Sequence, residues 1–196
     1  MGDPAEKLRR ATYADLEAVA PEKVAELITG KLYVFPRPSS PHARAASSLG
    51  GKLMDPFDHG QGGPGGWWIL DEPELHFPDP AAPKAIHALV PDLAGWRRER
   101  MPELPEVAAF TLAPDWICEV LSPSTIAHDR ALKMPLYARN GVRWAWLVDP
   151  GERSLEVYLL GENGRFGDPR RYEGTAHIRA VPFDAVELDL GVLWTR

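Results

Sequence analysis

The sequence predicts one mixed α+β domain, and three observations carry the prediction. Short segments of apolar alternation recur along the chain between clusters of Gly, Pro, Asn and Asp, as β-strands between turns do. Apolar residues at helical spacing occur in only three places. Between Phe110 and Val148 the order is strand, helix, strand, which is the connection a parallel strand pair requires. At 196 residues the chain suffices for one substantial core, so residues 1–196 are expected to form a single domain.

Each element has a local reason. Thr12 is placed to cap a short helix running to Ala20, and Val24 to Phe35 forms two strands about a Thr29-Gly30 turn. A second helix follows Pro41, carries Ala45, Leu49 and Leu53 on one face, and is expected to end near Asp55-Pro56, where proline removes an N–H donor. The glycine-rich run from His59 to Gly66 predicts a tight or flexible turn, after which Trp67-Trp68 restarts ordered chain. Strands are expected over Trp68 to Phe77, Ala88 to Trp96 and Phe110 to Leu121. Ser124 or Thr125 caps a third helix, which Pro135 bends and Asn140-Gly141 ends. Strands over Arg143 to Val148, Leu155 to Leu160, Arg165 to Tyr172, His177 to Pro182 and Val186 to Trp194 complete the chain.

Composition excludes several functions. No apolar run approaches the roughly 20 residues of a membrane span, and Met1 to Val19 lacks the apolar core of a signal peptide. A cytoplasmic protein without membrane association is expected. Cys118 is the only cysteine, which excludes an internal disulfide and any multi-cysteine zinc site. A formal charge of -6 argues against a general nucleic-acid coat, although Trp96-Arg97-Arg98-Glu99-Arg100 offers a local basic face. The seven tryptophans fit core and sheet-face packing first and base stacking second.

One carboxylate is out of place. In the strand around Cys118, Trp116, Cys118 and Val120 line one face while Ile117, Glu119 and Leu121 line the other. Both faces are largely apolar, the pattern of a strand covered on both sides, where an unpaired carboxylate costs several kcal/mol. A second acid, Asp92 in Val90-Pro91-Asp92-Leu93, stands at the start of another strand. If the two strands are neighbours, the carboxylates converge at one sheet edge and need a cation between them, for which oxygen-only ligands favour magnesium or manganese over zinc. The same spacing also fits a purely structural role, with Asp92 capping a turn and Glu119 paired to an arginine.

Pro91-Asp92, the run CEVLSPST from Cys118 to Thr125, Asp129, Lys133, Tyr137, Gly141-Val142 and the strand WLVDP from Trp146 to Pro150 together resemble a bacterial family of restriction-endonuclease-like proteins, Uma2-like, within the PD-(D/E)XK nuclease superfamily. The resemblance extends upstream to Glu26 and Gly30 and to Ser40-Pro41-His42, and so covers Tyr13 to Trp194. It implies a restriction-endonuclease-like core: a helix, a three-strand meander, a second helix and a fourth strand, with a central mixed sheet flanked by helices and additional β-hairpins. It further implies that Asp92 and Glu119 bind Mg²⁺, or Mn²⁺, and that the protein hydrolyses phosphodiester bonds of DNA, as a homodimer if both strands are cut. Leu121 departs from the pattern, because it stands where the motif carries its lysine. Lys133 on the following helix is the expected replacement, at the border of a leucine face and free to reach the site along its apolar stem, so that Lys133→Met would leave folding intact. Its alternative is a solvated helix pair with Asp129. Glu26 is a further candidate acid, His42 a candidate phosphate contact or base, and Glu74 a candidate third metal ligand. A module that kept this fold but lost efficient chemistry, and binds nucleic acid or a protein, is the alternative to the enzyme.

Overall fold

The computed structural model describes residues 9–82 and 84–195, and the first eight residues of the Met1 to Val19 stretch lie outside them. Thr12 and Asp15 form a reciprocal capping box that starts α1 (Tyr13–Glu17). Strands β1 (Lys23–Ile28) and β2 (Lys31–Pro36) pair about Thr29 and Gly30, both at positive φ, 51° and 71°, as the tight hairpin turn requires. Helix α2 (Ser40–Leu53) buries His42, Ala45, Ala46, Leu49 and Leu53 along one face. It does not stop at Pro56. The helical path continues as a π segment, Met54–His59, whose wider turn accommodates the proline's missing N–H, and Gly60 at φ 72° ends it.

Two predicted strands are each divided in two. Trp68 to Phe77 becomes β3 (Trp67–Asp71) and β4 (Leu75–Pro78), broken where Glu72 takes a left-handed φ of 45° ahead of Pro73. Ala88 to Trp96 becomes β5 (Ile86–Leu89) and β6 (Leu93–Arg97), broken at Val90-Pro91-Asp92. At both breaks the chain passes from one sheet to another. A four-stranded sheet has the order β2-β1-β5-β4, and a six-stranded sheet has the order β10 (Arg170–Glu173), β9 (Ser154–Leu159), β8 (Trp144–Asp149), β7 (Trp116–Val120), β6, β3. In the larger sheet, β7 is central and runs parallel to β8, while β9 and β10 continue it antiparallel. Phe110 makes only an isolated bridge to Leu75. Near the end of the chain, His177–Ile178 (β11) pairs with Leu188–Asp189 (β12), far less strand than the alternation suggested, and Leu190–Leu193 turns into a 3₁₀ helix.

The connection between β7 and β8 holds α3 (Ile126–His128), a π segment (Asp129–Lys133) and α4 (Met134–Arg139). Pro135 cannot donate back to the carbonyl four residues earlier, and the turn before it is widened. Gly141 at φ 80° ends the run. Every residue of β7 is buried, as its two-sided apolar pattern predicted. Trp116, Cys118 and Val120 face one core with Phe57, Trp146 and Phe183, while Ile117 and Leu121 face the other with Trp96 and Tyr137. Trp67, Trp96, Trp116, Trp144 and Trp146 are all buried, so these tryptophans pack and do not offer faces to bases.

Candidate active site

The two sheets meet at the break before β6, and the residues there line a cleft of about 290 Å³. Extending the β6–β7 register by one pair from Leu93↔Cys118 sets Asp92 opposite Glu119. Asp92 Oδ2 accepts a 2.6 Å hydrogen bond from the Val120 backbone N–H, and its Oδ1 lies 3.3 Å from His42 Nε2 on the first turn of α2. Glu119 is 2% exposed; Lys133 Nζ reaches its two oxygens at 2.8 and 2.9 Å, and Tyr137 donates its hydroxyl at 2.6 Å.

Lys133 itself is fully enclosed. Its three ammonium donors are met by Glu119, by Glu26 at 2.8 Å and by the Val90 carbonyl at 3.0 Å. Neither placement of Lys133 at a helix border nor its solvated pairing with Asp129 survives, because both side chains are buried, with Asp129 the more distant of its carboxylates at 4.0 Å. Sequence periodicity misplaced it for a physical reason: the π turn brings residues five apart onto one face, so His128 and Lys133 point the same way, where an α-helix would separate them. Glu26 crosses from β1 and also meets His128 at 2.7 Å and the Val90 N–H at 2.9 Å. His128, whose ring packs between Tyr33 and Phe35, is a site residue the sequence reading missed. Its only sequence signal was a histidine beside Asp129, uninformative without the π register.

The electrostatics of the cluster are unbalanced. Burial pushes Glu119 up and Lys133 opposes it, but Asp129, Asp92 and Glu26 add to the rise, and Glu119 binds its proton well above the ordinary carboxylate range. Burial likewise pushes Glu26 up, yet Lys133 and the hydrogen bonds from His128, Lys133 and Val90 outweigh it and leave Glu26 below its ordinary value. Burial disfavours the Lys133 ammonium, and the surrounding carboxylates more than compensate, so it stays charged. Burial also lowers His42's proton affinity, but Asp92 outweighs it and the net shift is upward. Five acidic residues, Glu26, Glu72, Asp92, Glu119 and Asp129, therefore line the cleft with two permanent cations, Lys133 and Arg37.

That deficit, together with the donor set, fits a hard divalent cation. Among the described residues no group of three or more His, Cys, Asp or Glu side chains forms a metal cage. Two facing carboxylates with spare lone pairs are instead what Mg²⁺ takes, since it usually keeps several waters and one or two carboxylates. Glu74 is not brought to the cleft: Tyr13 donates to it at 2.7 Å and His76 lies 2.5 Å away, beside the smaller sheet. Glu72, two residues earlier at the strand break, lines the cleft in its place. The basic run is also spent elsewhere, with Arg98 paired to Asp58, Arg100 to Asp115, and Arg97 held against the rings of Trp67 and Trp144.

A mixed sheet with paired acids at the entry to its central strands defines the restriction-endonuclease-like class of fold. A crystal structure of a protein described as a putative nuclease from Anabaena variabilis superposes with a TM-score of 0.71 at 23% identity, over 92% of this chain and 94% of that one. The family model for Uma2, described as putative restriction endonuclease, matches residues 10–190, and the chain belongs to that family. No curated protein matches the chain. No helix among the described residues is long and apolar enough to cross a membrane.

Proposed function

We propose that the protein is a Mg²⁺-dependent endonuclease that hydrolyses phosphodiester bonds of DNA, with Mn²⁺ able to replace Mg²⁺. The observation that supports this most is the convergence of Asp92, Glu119 and a buried lysine, Lys133, in one cleft of a chain from this family. Asp92 and Glu119 would hold the cation, and Mg²⁺ bound there would supply a water of lowered pKa and neutralise charge gathering on the phosphate. Lys133, kept protonated by its carboxylates, serves as a fixed positive charge and not as a base. Glu26 and the Val90 carbonyl hold that ammonium in place, and His128 orients Glu26. His42 and the Val120 N–H orient Asp92 from opposite sides. Cutting both strands in one encounter needs two such sites, and we propose a homodimer for that reason.

A cleavage assay on plasmid and oligonucleotide DNA with Mg²⁺ or Mn²⁺ tests the reading. The wild type should cut, and Glu119→Gln or Asp92→Asn should lower the rate by about 10²-fold or more, the scale for losing one group that stabilises transition-state charge. A wild type that cuts nothing with either metal would leave a nuclease-fold binding module.

A further inference from the structure

A second cavity, of about 980 Å³, adjoins the cleft across the N-terminal end of α2. Ser39, the N-cap of that helix, lines the cleft, and the next two residues, Ser40 and Pro41, line the second cavity. Its walls include Arg44, Arg153 and Trp194 and, among the described residues, contain no Asp or Glu. Arg44 follows His42 by two residues on α2, so one helix presents its histidine to the acids and its arginine to the groove. Arg153 stands in the turn between β8 and β9 at φ 49°, with Asp149 Oδ1 accepting from the Gly151 and Glu152 N–H groups at 2.9 and 3.0 Å to hold that turn. Both arginines are exposed, and among the described residues neither makes an ion pair or side-chain hydrogen bond. Trp194 already donates its indole N–H to the Gly174 carbonyl at 2.6 Å, leaving its ring to the groove.

Two uncommitted guanidiniums beside an acidic cleft, in a chain of net charge -6, mark a local surface complementary to a polyanion. We propose that this groove is the track for the DNA strand flanking the scissile phosphate, with Arg44 and Arg153 each holding one backbone phosphate. The proposal rests on the nuclease reading of the cleft, and it predicts affinity without base specificity, since phosphate contacts position a strand and carry no sequence information.

The test separates binding from chemistry. Binding of a fluorescein-labelled DNA is measured by anisotropy in EDTA across a salt series, for the wild type, for Arg44→Ala/Arg153→Ala, and for Arg139→Ala/Arg165→Ala. The last pair is exposed, lines a separate cavity, and removes the same charge. The groove variant should bind about tenfold more weakly near 0.1 M salt, with its plot of log affinity against log salt shallower by about 2, one for each phosphate that is no longer neutralised. The control should match the wild type, and the melting temperature of both variants should be unchanged. Unchanged binding by the groove variant, an equal loss in the control, or a wild type that binds no DNA would each overturn the proposal. A wild type that binds through these arginines yet cuts nothing with either metal supports the groove and overturns the nuclease reading alone.

Discussion

Lys133 neutralises two buried carboxylates at once, and its removal is therefore not a mild change. Lys133→Met keeps the apolar stem but leaves Glu26 and Glu119, 2% exposed each, without their shared cation. Breaking a buried pair in this way costs about 3–5 kcal/mol. Urea denaturation should show a loss of that size, and adding Glu26→Gln should recover part of it, because the carboxylate that Lys133 holds ionised is then gone. A loss below about 1 kcal/mol would mean that water reaches the ammonium freely. The sequence made the acids of this cluster legible and its cation only half so. Glu119 stood out because a charge interrupted a two-sided apolar strand, and Asp92 because it opened the neighbouring one. Lys133 was traceable to the site through resemblance alone, and its burial, like the partnership of Glu26 with His128, depends on a helix five residues per face instead of four.

At the scale of elements, local chemistry foretold what local chemistry decides. The Thr12 cap, the Thr29-Gly30 hairpin and the Gly141 helix end are each fixed by a few adjacent residues, and each formed where expected, although the helix that Thr12 starts ends at Glu17 and not at Ala20. The alternation through Trp68 to Phe77 and Ala88 to Trp96 was real but uninformative about which sheet each half joins, since period-two patterning continues across a break while partners change. Between elements, the helical connection is tied to the sheet by Arg130, which grips Glu156 of β9 through two hydrogen bonds of 2.8 and 3.1 Å, with the Tyr158 hydroxyl donating at 2.7 Å. Burial pushes Glu156 up, but Arg130, Tyr158 and Arg171 prevail and hold it below its ordinary 4.5. A depressed carboxylate stabilises the fold above its unfolded pKa and loses that contribution as pH falls through the folded one. The wild type should thus lose stability below about pH 4.5 partly through this residue. Glu156→Gln should cost about 1 kcal/mol at pH 7, a value discounted for the half-exposed arginine, and should flatten the acid limb of a stability profile. An acid limb of unchanged slope would assign the loss to other carboxylates.

For the whole molecule, the cleft is where the small sheet, the large sheet and the β7–β8 helical connection are joined, and they are joined by charge. Glu26 comes from the first, Glu119 from the second and Lys133 from the third, so the ion cluster fastens three units that also share one apolar core, with Phe77 from the first, Ile117 from the second and Tyr137 from the third. Such a joint is sensitive to any ligand that completes its charge balance. A cation that binds the folded state alone stabilises it by mass action, about 2.7 kcal/mol when the free metal is 100-fold above its dissociation constant. Mg²⁺ or Mn²⁺ should accordingly raise the melting temperature of the wild type in a saturable manner, whereas Na⁺ at matched ionic strength should not. Glu119→Gln removes one proposed ligand while Glu26 still pairs Lys133, so this variant should fold and yet lose the metal-dependent gain. An equal gain in the variant would place the metal away from Asp92 and Glu119 and leave the charge balance of the joint to Lys133 and its carboxylates.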